Sequence, residues 1–473
     1  MIRRRTITSY VWNSVSGNKM VILSNCIRNF FRKFELLGNS MQGENPAPDN
    51  PQEIKSAGRK SKNLFNIADL RVGQVQKDGT INEKQIYYRT VILDVPQDGK
   101  YRITFAENND YNMLYFAEMY TNGVYSQPYV RVQAGNPNYY ITLEKGKNIL
   151  SFSTHTASGN IAFTTDHNIM IAAESETLDY EPYGYFLDVK VTGKNLLNLQ
   201  KEPDVKGTYQ GWKVGDGKKT IVLSIKDKGN NVDITKCSIG VSGNGINPND
   251  GLGWIVQDGT ILRSEIKTTN PYVTIYPPNE TAVQKFLDRF EIQVEYGTTA
   301  TSYEPYAEQF MQIVLNEPLR GIGEYKDTIA KDGVARKILE APIAEYLQNA
   351  IYGNPGEKYI SSSVPKCYIN YDKNKCMSNI GFASNAENKK YIPIPMLKSF
   401  LIKVSDDDTV ETIKEKMKDV IVTYTIKEPT TEPLPESVQQ QLQALHTENG
   451  TTHVFVDSGE VETGINIEYK YKS

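Results

Sequence analysis

Histidine is scarce in this chain: there are 4 in 473 residues, and none sits at ligand spacing from another. There is no His-Glu-x-x-His helix, no Gly-x-Ser-x-Gly elbow, no phosphate loop and no dinucleotide fingerprint. The usual signatures of zinc hydrolases, serine hydrolases and nucleotide enzymes are therefore missing, and catalysis is not expected. Cysteine is equally sparse. Cys26 and Cys237 stand alone, and the eight residues between Cys367 and Cys376 are not a zinc-site spacing. That pair either bridges neighbouring strands or stays as free thiols, the form a reduced compartment favours. Charge of one sign is also lacking: a net charge of −3 gives no whole-chain field to draw nucleic acid or an anionic membrane. No run approaches the ~20 apolar residues of a membrane span. The opening "MIRRRTITSYVWNSVSGNKMVILS" offers only "MVIL" where a signal peptide needs an apolar core. Synthesis in the cytoplasm without signal-peptide export is the expectation.

What is abundant is tyrosine, with 30 Tyr against 15 Phe and 3 Trp, alongside 34 Gly and 22 Pro. Such a composition favours strands and turns over helices. Tyrosines at this density serve either a solvated sheet face or an exposed recognition surface. The length allows roughly three domains, each able to bury its own core.

The first sixty residues read as a basic arm and linker. Arg3, Arg4, Arg5, Lys19, Arg28, Arg32 and Lys33 face only Glu35 among acids before Ser40, and a Pro- and Asn-rich tract follows. From residue 61 the grammar changes to short alternating strands. "YRITF" places Tyr101, Ile103 and Phe105 on one face, and "YITLEKGKNILSF" reads as a hairpin. Strands at this spacing predict an antiparallel sandwich over 61–187. A second one is predicted over 188–307, where "TIVLSI", "CSIGV", "YVTIY" and "FEIQVEYG" alternate in the same way.

The two stretches share their ends. "SKNLFN" at 61–66 answers "GKNLLN" at 193–198, and Tyr180-Glu181-Pro182-Tyr183 recurs 123 positions later as Tyr303-Glu304-Pro305-Tyr306. Matching starts and ends indicate a tandem repeat. Proline fixes its own φ and extends the preceding glutamate, so each motif reads as a structural clasp that closes one module and aims the chain at the next. Residues 308–473 read as a third, α+β or β-rich module. Asp408 with Glu411 forms a capping-box pattern ahead of Val410, Ile413 and Met417, a short helix follows Pro435, and a strand closes the chain.

Candidate ligand positions are few. Trp212 and Trp254 sit beside glycines, where a ring can be presented to sugar, and Tyr272 heads the "YVTIY" strand. The competing reading buries each tryptophan in its sandwich core. The oxygen-rich loop at 247–251 offers Ca²⁺ ligands but not the spacing of an EF-hand loop, and an ordinary turn explains it better.

Against that background, "FEIQVEYGTTATSYEPY" (290–306) resembles a recurring signature of minor structural proteins of tailed bacteriophages: tail-tip, baseplate and fibre-associated proteins. "ELLGNSMQGENPAPDNPQEIKSAG", "GKNLLN", "LNEPLRGIGEYKDTI" and "VIVTYTIKEPTTEPLPE" are similar to further elements of that group, in order. The first clasp departs from the pattern, lacking the Gln-Leu-Glu lead and the Ala-Thr pair. The resemblance implies a virion protein of mainly β, carbohydrate-binding-module-like jelly-roll sandwiches with a β-rich C-terminal module. It would be assembled in the host cytoplasm and carry no catalytic residues to transfer. Expected partners are other tail or baseplate proteins and host surface polysaccharide, with no nucleic acid and no membrane insertion. A homo-oligomer such as a trimer is consistent with this. The arginines Arg3, Arg4, Arg5, Arg28 and Arg32 are the candidates for attachment to the virion. The alternatives are a purely architectural tail spacer, a polysaccharide-degrading tail enzyme and a cellular adhesin.

Overall fold

The computed structural model describes residues 4–8, 18–26, 28–106, 113–136, 138–154, 168–176, 179–207, 209–214, 219–242, 254–255, 262–268, 272–383 and 389–470. The chain is mainly β, with antiparallel sheets throughout. It divides into two compact units, a smaller one of Gly58–Leu187 with Val314–Pro318 and a larger one of Met1–Ala57, Asp188–Ile313 and Leu319–Ser473.

The smaller unit is a sandwich. One sheet runs in the order Arg71–Val72, Arg89–Val95, Gly146–Thr154, Met113–Thr121, Val124–Ser126, and the other Tyr140–Leu143, Gly99–Thr104, Met170–Ala173. Period-2 alternation builds its core: Val91, Leu93 and Val95 from one strand, Tyr101 and Ile103 from another, Leu114 and Phe116 from a third. Each such side chain contributes roughly 1.5–3 kcal/mol when taken from water.

The expected hairpin over 140–152 is not one. Tyr140–Leu143 pairs with Gly99–Thr104, whereas Gly146–Thr154 pairs with Arg89–Val95 and Met113–Thr121. Glu144 to Gly146 is a corner between the two sheets, held where Asn148 Nδ2 donates to the Glu144 and Gly146 carbonyls at 2.7 and 3.0 Å. Gly146 takes φ +99 there, a conformation that favours glycine.

The larger unit contains a second sandwich with the same strand order. One sheet runs Val205–Lys206, Gln210–Lys213, Tyr272–Tyr276, Ser238–Ser242, Trp254–Ile255, and its partner Leu262–Thr268, Lys219–Asp227, Phe290–Tyr296. An unpredicted helix, Glu280–Arg289, precedes the last strand; Asn279 caps it and Ala282 and Phe286 pack inward.

Residues 18–60 are not an arm, which corrects the expectation. Asn18–Cys26 pairs with Gly450–Asp457, and Phe31–Leu37 pairs with Gly464–Lys470 and Thr328–Ala330. Phe34 and Leu36 are buried while Arg32 and Lys33 face solvent. Of the basic residues that suggested an arm, Arg32 and Lys33 are the exposed side of a strand that pairs with Gly464–Lys470, more than 400 residues away in sequence.

Residues 38–57 and 319–327 are joined to each other. Ala57 and Leu319 exchange backbone hydrogen bonds at 3.0 and 2.8 Å, and Gly38 N–H donates to Asp327 C=O at 2.8 Å. A Cβ on Gly321 would lie 2.3 Å from Gly38 O, so glycine is required there by close approach of two backbones. Beyond them, Asp327 and Arg336 form a fully buried ion pair at 3.3 Å.

The helix after Asp408 spans Val410–Lys416 with Ile413 buried, but its capping box is Thr409 with Thr412 instead of Asp408 with Glu411. Asp408 is taken up by Lys416, Tyr391 and the Ser405 N–H. Val438, Leu442 and Leu445 are buried on and just after the helix Glu436–Ala444. Cys237, Cys367 and Cys376 are buried free thiols, and burial pushes Cys367 up to about 12.

Candidate functional site

The shared ends of the two sandwiches meet through one asparagine each. In the smaller unit Asn63 Nδ2 donates to the Ile169 and Glu181 carbonyls (3.0 and 3.1 Å), and its Oδ1 accepts from Phe65 and Ile171 N–H (2.9 and 3.0 Å). In the larger unit Asn195 Nδ2 donates to the Ile292 and Glu304 carbonyls (both 3.1 Å), and its Oδ1 accepts from Leu197 and Val294 N–H (3.2 and 3.1 Å). Of each asparagine's four hydrogen bonds, one holds the glutamate carbonyl of the closing Tyr-Glu-Pro-Tyr, two hold the strand or segment that leads into it, and one closes the asparagine's own turn. Equivalent partners fall 123 positions apart from Ile169 and Ile292 onward.

The carboxylates finish each clasp differently. Glu181 accepts from Lys62 N–H at 2.8 Å and Ser61 Oγ at 3.2 Å and pairs with Arg59 at 2.7 Å. Glu304 pairs with Lys194 at 3.2 Å. In the second copy Gln293 accepts from Glu304 N–H and donates to Glu295, which accepts from Thr301 N–H and Oγ1, so the Gln-x-Glu lead is a buried polar network. The first copy places the apolar Met170 and Ala172 at these two positions, both buried, and needs no such network.

Burial raises the Glu181 carboxyl, but Arg59, the Lys62 N–H and Ser61 outweigh it and hold the group below the usual glutamate range. A depressed folded pKa stabilises above the unfolded value and is lost as pH falls through the folded one. Acid titration of the smaller unit is therefore expected to show a loss of stability below the ordinary glutamate pKa that Glu181→Gln flattens. Thermal melting across pH 2–6 checks it, and an unchanged profile in the variant contradicts it.

An open cleft lies at the second clasp. It has a volume of about 380 Å³, and its aromatic lining is Tyr306, Phe310 and Phe455. Phe310 and Phe455 come from strands of one sheet, and Tyr306 lies two residues before the first of these strands. In Glu308–Leu315, Met311 and Ile313 point inward while Glu308 and Phe310 point out, leaving Phe310 60% exposed. In the neighbouring strand Lys190 stands opposite Phe455, and Asp188 opposite Asp457.

The ring of Tyr306 is fixed from two sides. Its hydroxyl donates to Glu308, and Lys190 Nζ sits 5.8 Å from its ring centroid and 2.8 Å from the Glu308 carboxylate. Burial, then Glu308, pushes the Tyr306 hydroxyl far above its usual range, so it remains a donor. Burial also raises Glu308, but Lys190 and Tyr306 outweigh it and keep it an anion. At the rim Asp204 accepts from Lys201 Nζ and Lys213 N–H, both at 2.7 Å. The cleft thus combines aromatic rings on its floor with acids and lysines at its edge.

The sequence candidates fare unevenly. Trp212 is 3% exposed, packs in the core of its sandwich and donates Nε1–H to Lys201 C=O, so it cannot present a platform. Tyr272 is half-buried and paired through its backbone with Lys213 and Ser242. The Trp254 side chain, the 247–251 loop and Arg3 lie outside the described residues, as do the Arg4 and Arg5 side chains. Arg28 is exposed, and Arg32 pairs with Glu468 at 3.5 Å. Tyr180 and Tyr303 lie exposed, while Tyr183 and Tyr306 are half-buried. Phe310 was missed; its signal is an aromatic out of phase with Met311, Ile313 and Leu315. No group of acids, histidines or cysteines able to hold a metal occurs among the described residues. No helix among them is long and apolar enough to cross a membrane.

No family model matches the chain, and no curated protein matches it. Two solved structures show a faint similarity. The cryo-EM structure of arabinofuranosyltransferase AftD from Mycobacteria is 9% identical, with 82% of this chain and 32% of that one covered and a TM-score of 0.13. The structure of infectious bursal disease virus Gt strain is 7% identical, with 98% and 82% covered and a TM-score of 0.08. At such scores neither carries an argument about fold or function.

Proposed function

We propose that the chain is a structural component of a phage tail tip, baseplate or tail fibre that takes part in recognising host-surface glycan. Its working location in this reading is the virion, and its partners are other tail proteins and a bacterial polysaccharide. The resemblance of the clasp and its companion stretches supports the first half. The second half rests on one observation: the exposed Phe310 beside the immobilised Tyr306 in an open, charged-rimmed cleft. A ring left in water at this cost, next to a second ring held by Glu308 and Lys190, suits stacking against a sugar face.

The full chain is expected to bind a panel of immobilised bacterial wall polysaccharides saturably and to release no reducing sugar. Phe310→Ala should weaken binding about tenfold, about 1.4 kcal/mol, with unchanged folding. Retention by the variant equal to that of the parent would remove the cleft from the interface. The architectural reading has its own support, because the phage-like glycines, Asn195 and Asp327 all spend themselves on folding. Absence of any polysaccharide binding would favour it.

A further inference from the structure

The cleft at the second clasp holds acids that its lysines do not balance. Two of the acids at its edge each have a lysine: Glu308 pairs with Lys190 at 2.8 Å and Asp204 with Lys201 at 2.7 Å. The third lysine, Lys213, is exposed and stands on the Asp204 side, where its N–H meets that carboxylate. Asp188 and Asp457 are left over. They stand directly opposite each other on the neighbouring antiparallel strands Tyr185–Thr192 and Gly450–Asp457, and both are half-buried. Like charges in that position destabilise a sheet. Their donors are neutral: Gln312 Nε2 reaches Asp188 at 2.9 Å and Gly459 N–H reaches Asp457 at 3.0 Å. Neither acid has an ion-pair partner among the described residues.

The free rings lie beside this pair. Glu308–Leu315 is the next strand of the same sheet, and its Phe310 is two residues from the Gln312 that reaches Asp188. Phe455 is two residues from Asp457, and a spacing of two keeps side chains on one face. Lys190 already lies over the Tyr306 ring, whereas no lysine or arginine among the described residues lies over Phe310 or Phe455. Phe455 adjoins the buried His453 ring at 6.3 Å, and Phe310 is 60% exposed.

We infer that this cleft selects a sugar bearing a free amine, with the ammonium at Asp188 and Asp457 and the C–H face of the ring against Phe310. An ammonium neutralises the facing carboxylates and donates charge-assisted hydrogen bonds to them. It also suits the open aromatic face beside them. A neutral hydroxyl donates but leaves the repulsion between the two acids in place, and N-acetylation removes the charge. The open cleft and its exposed ring set the shape of the ligand; the two carboxylates set its charge. The inference rests on the glycan reading of the same cleft and adds the ligand's charge to it.

Calorimetric titration of the full chain with the β-1,4-linked trimers of glucosamine, N-acetylglucosamine and glucose tests this. The glucosamine trimer is expected to bind saturably, and the two neutral trimers about tenfold or more weakly. The nearly isosteric double change Asp188→Asn with Asp457→Asn should bring the glucosamine trimer down to the level of the neutral ones. Phe310→Ala should weaken all three by about tenfold. The comparison of ligands on the unaltered chain needs no variant to fold. Equal affinity for the three trimers with dependence on Phe310 would overturn the amine inference and leave the glycan reading of the cleft standing. A preference for the amine that survives the double change would overturn it too, as would no binding of the glucosamine trimer at millimolar concentration. An aspartate-dependent preference in a chain that ignores every wall polysaccharide would overturn the host-glycan reading and leave the ammonium site standing.

Discussion

Asp327→Ala is expected to destabilise the larger unit by about 3–5 kcal/mol, the usual loss when one partner of a buried ion pair is removed. Asp327 is 0% and Arg336 1% exposed, so the alanine leaves a guanidinium without its buried counter-charge. More is lost than the pair. Asp327 Oδ1 accepts from Lys337 and Ile338 N–H at 2.7 and 3.2 Å, and Oδ2 accepts from Arg320 N–H at 3.1 Å. One carboxylate therefore satisfies three backbone donors and an arginine where strands from both ends of the chain meet. Arg336 keeps Glu432 at 3.3 Å, but that carboxylate is half in solvent and compensates only in part. Denaturant unfolding followed by tryptophan fluorescence reads this unit, because the buried Trp212 belongs to it. A loss under about 1 kcal/mol would mean that the pair sits in water and not in a core.

Asn63→Ala carries the second large effect. The substitution strands the N–H groups of Phe65 and Ile171 and the carbonyls of Ile169 and Glu181. Each buried polar group left unpaired costs about 1–3 kcal/mol, and with partial relaxation the smaller unit should lose about 3 kcal/mol or more. Asn195→Ala should act on the larger unit in the same way. Calorimetry of both variants separates the two. Asn63→Ala should lower a transition that tryptophan fluorescence does not follow, whereas Asn195→Ala should lower the one it does. Two unchanged melting profiles would contradict the clasp.

Much of this architecture is written in local alternation. Tyr101, Ile103 and Phe105 turn inward as their spacing predicts, and Ile465, Ile467 and Tyr469 do so in the closing strand. What alternation leaves open is the partner. Leu143 and Leu150 both face the core, yet they come from opposite sheets, and one corner at Gly146 decides between hairpin and crossover. The N-terminal strands pair across almost the whole chain, so a short run such as "FRKFELL" carries no local sign of its neighbour.

The clasp was legible as a recurrence, but its mechanism was not. Asn63 and Asn195 look like ordinary polar residues until the strand they fasten is known. The cleft was harder still. Tryptophan beside glycine suggested a platform, but Trp212 fills the core because its large ring gains most from burial while its N–H finds the Lys201 carbonyl. Phe310, by contrast, stays out because its strand already turns Met311 and Ile313 inward.

The most direct test is hydroxyl-radical footprinting of the full chain with and without a wall polysaccharide that it binds. The account predicts protection of Phe310, Tyr306 and Phe455, with the clasp residues Tyr180 and Tyr183 oxidised as before. Unchanged oxidation of Phe310 and Phe455 beside protection at Tyr180 and Tyr183 would contradict it, making the first clasp a ligand site and the cleft a bystander.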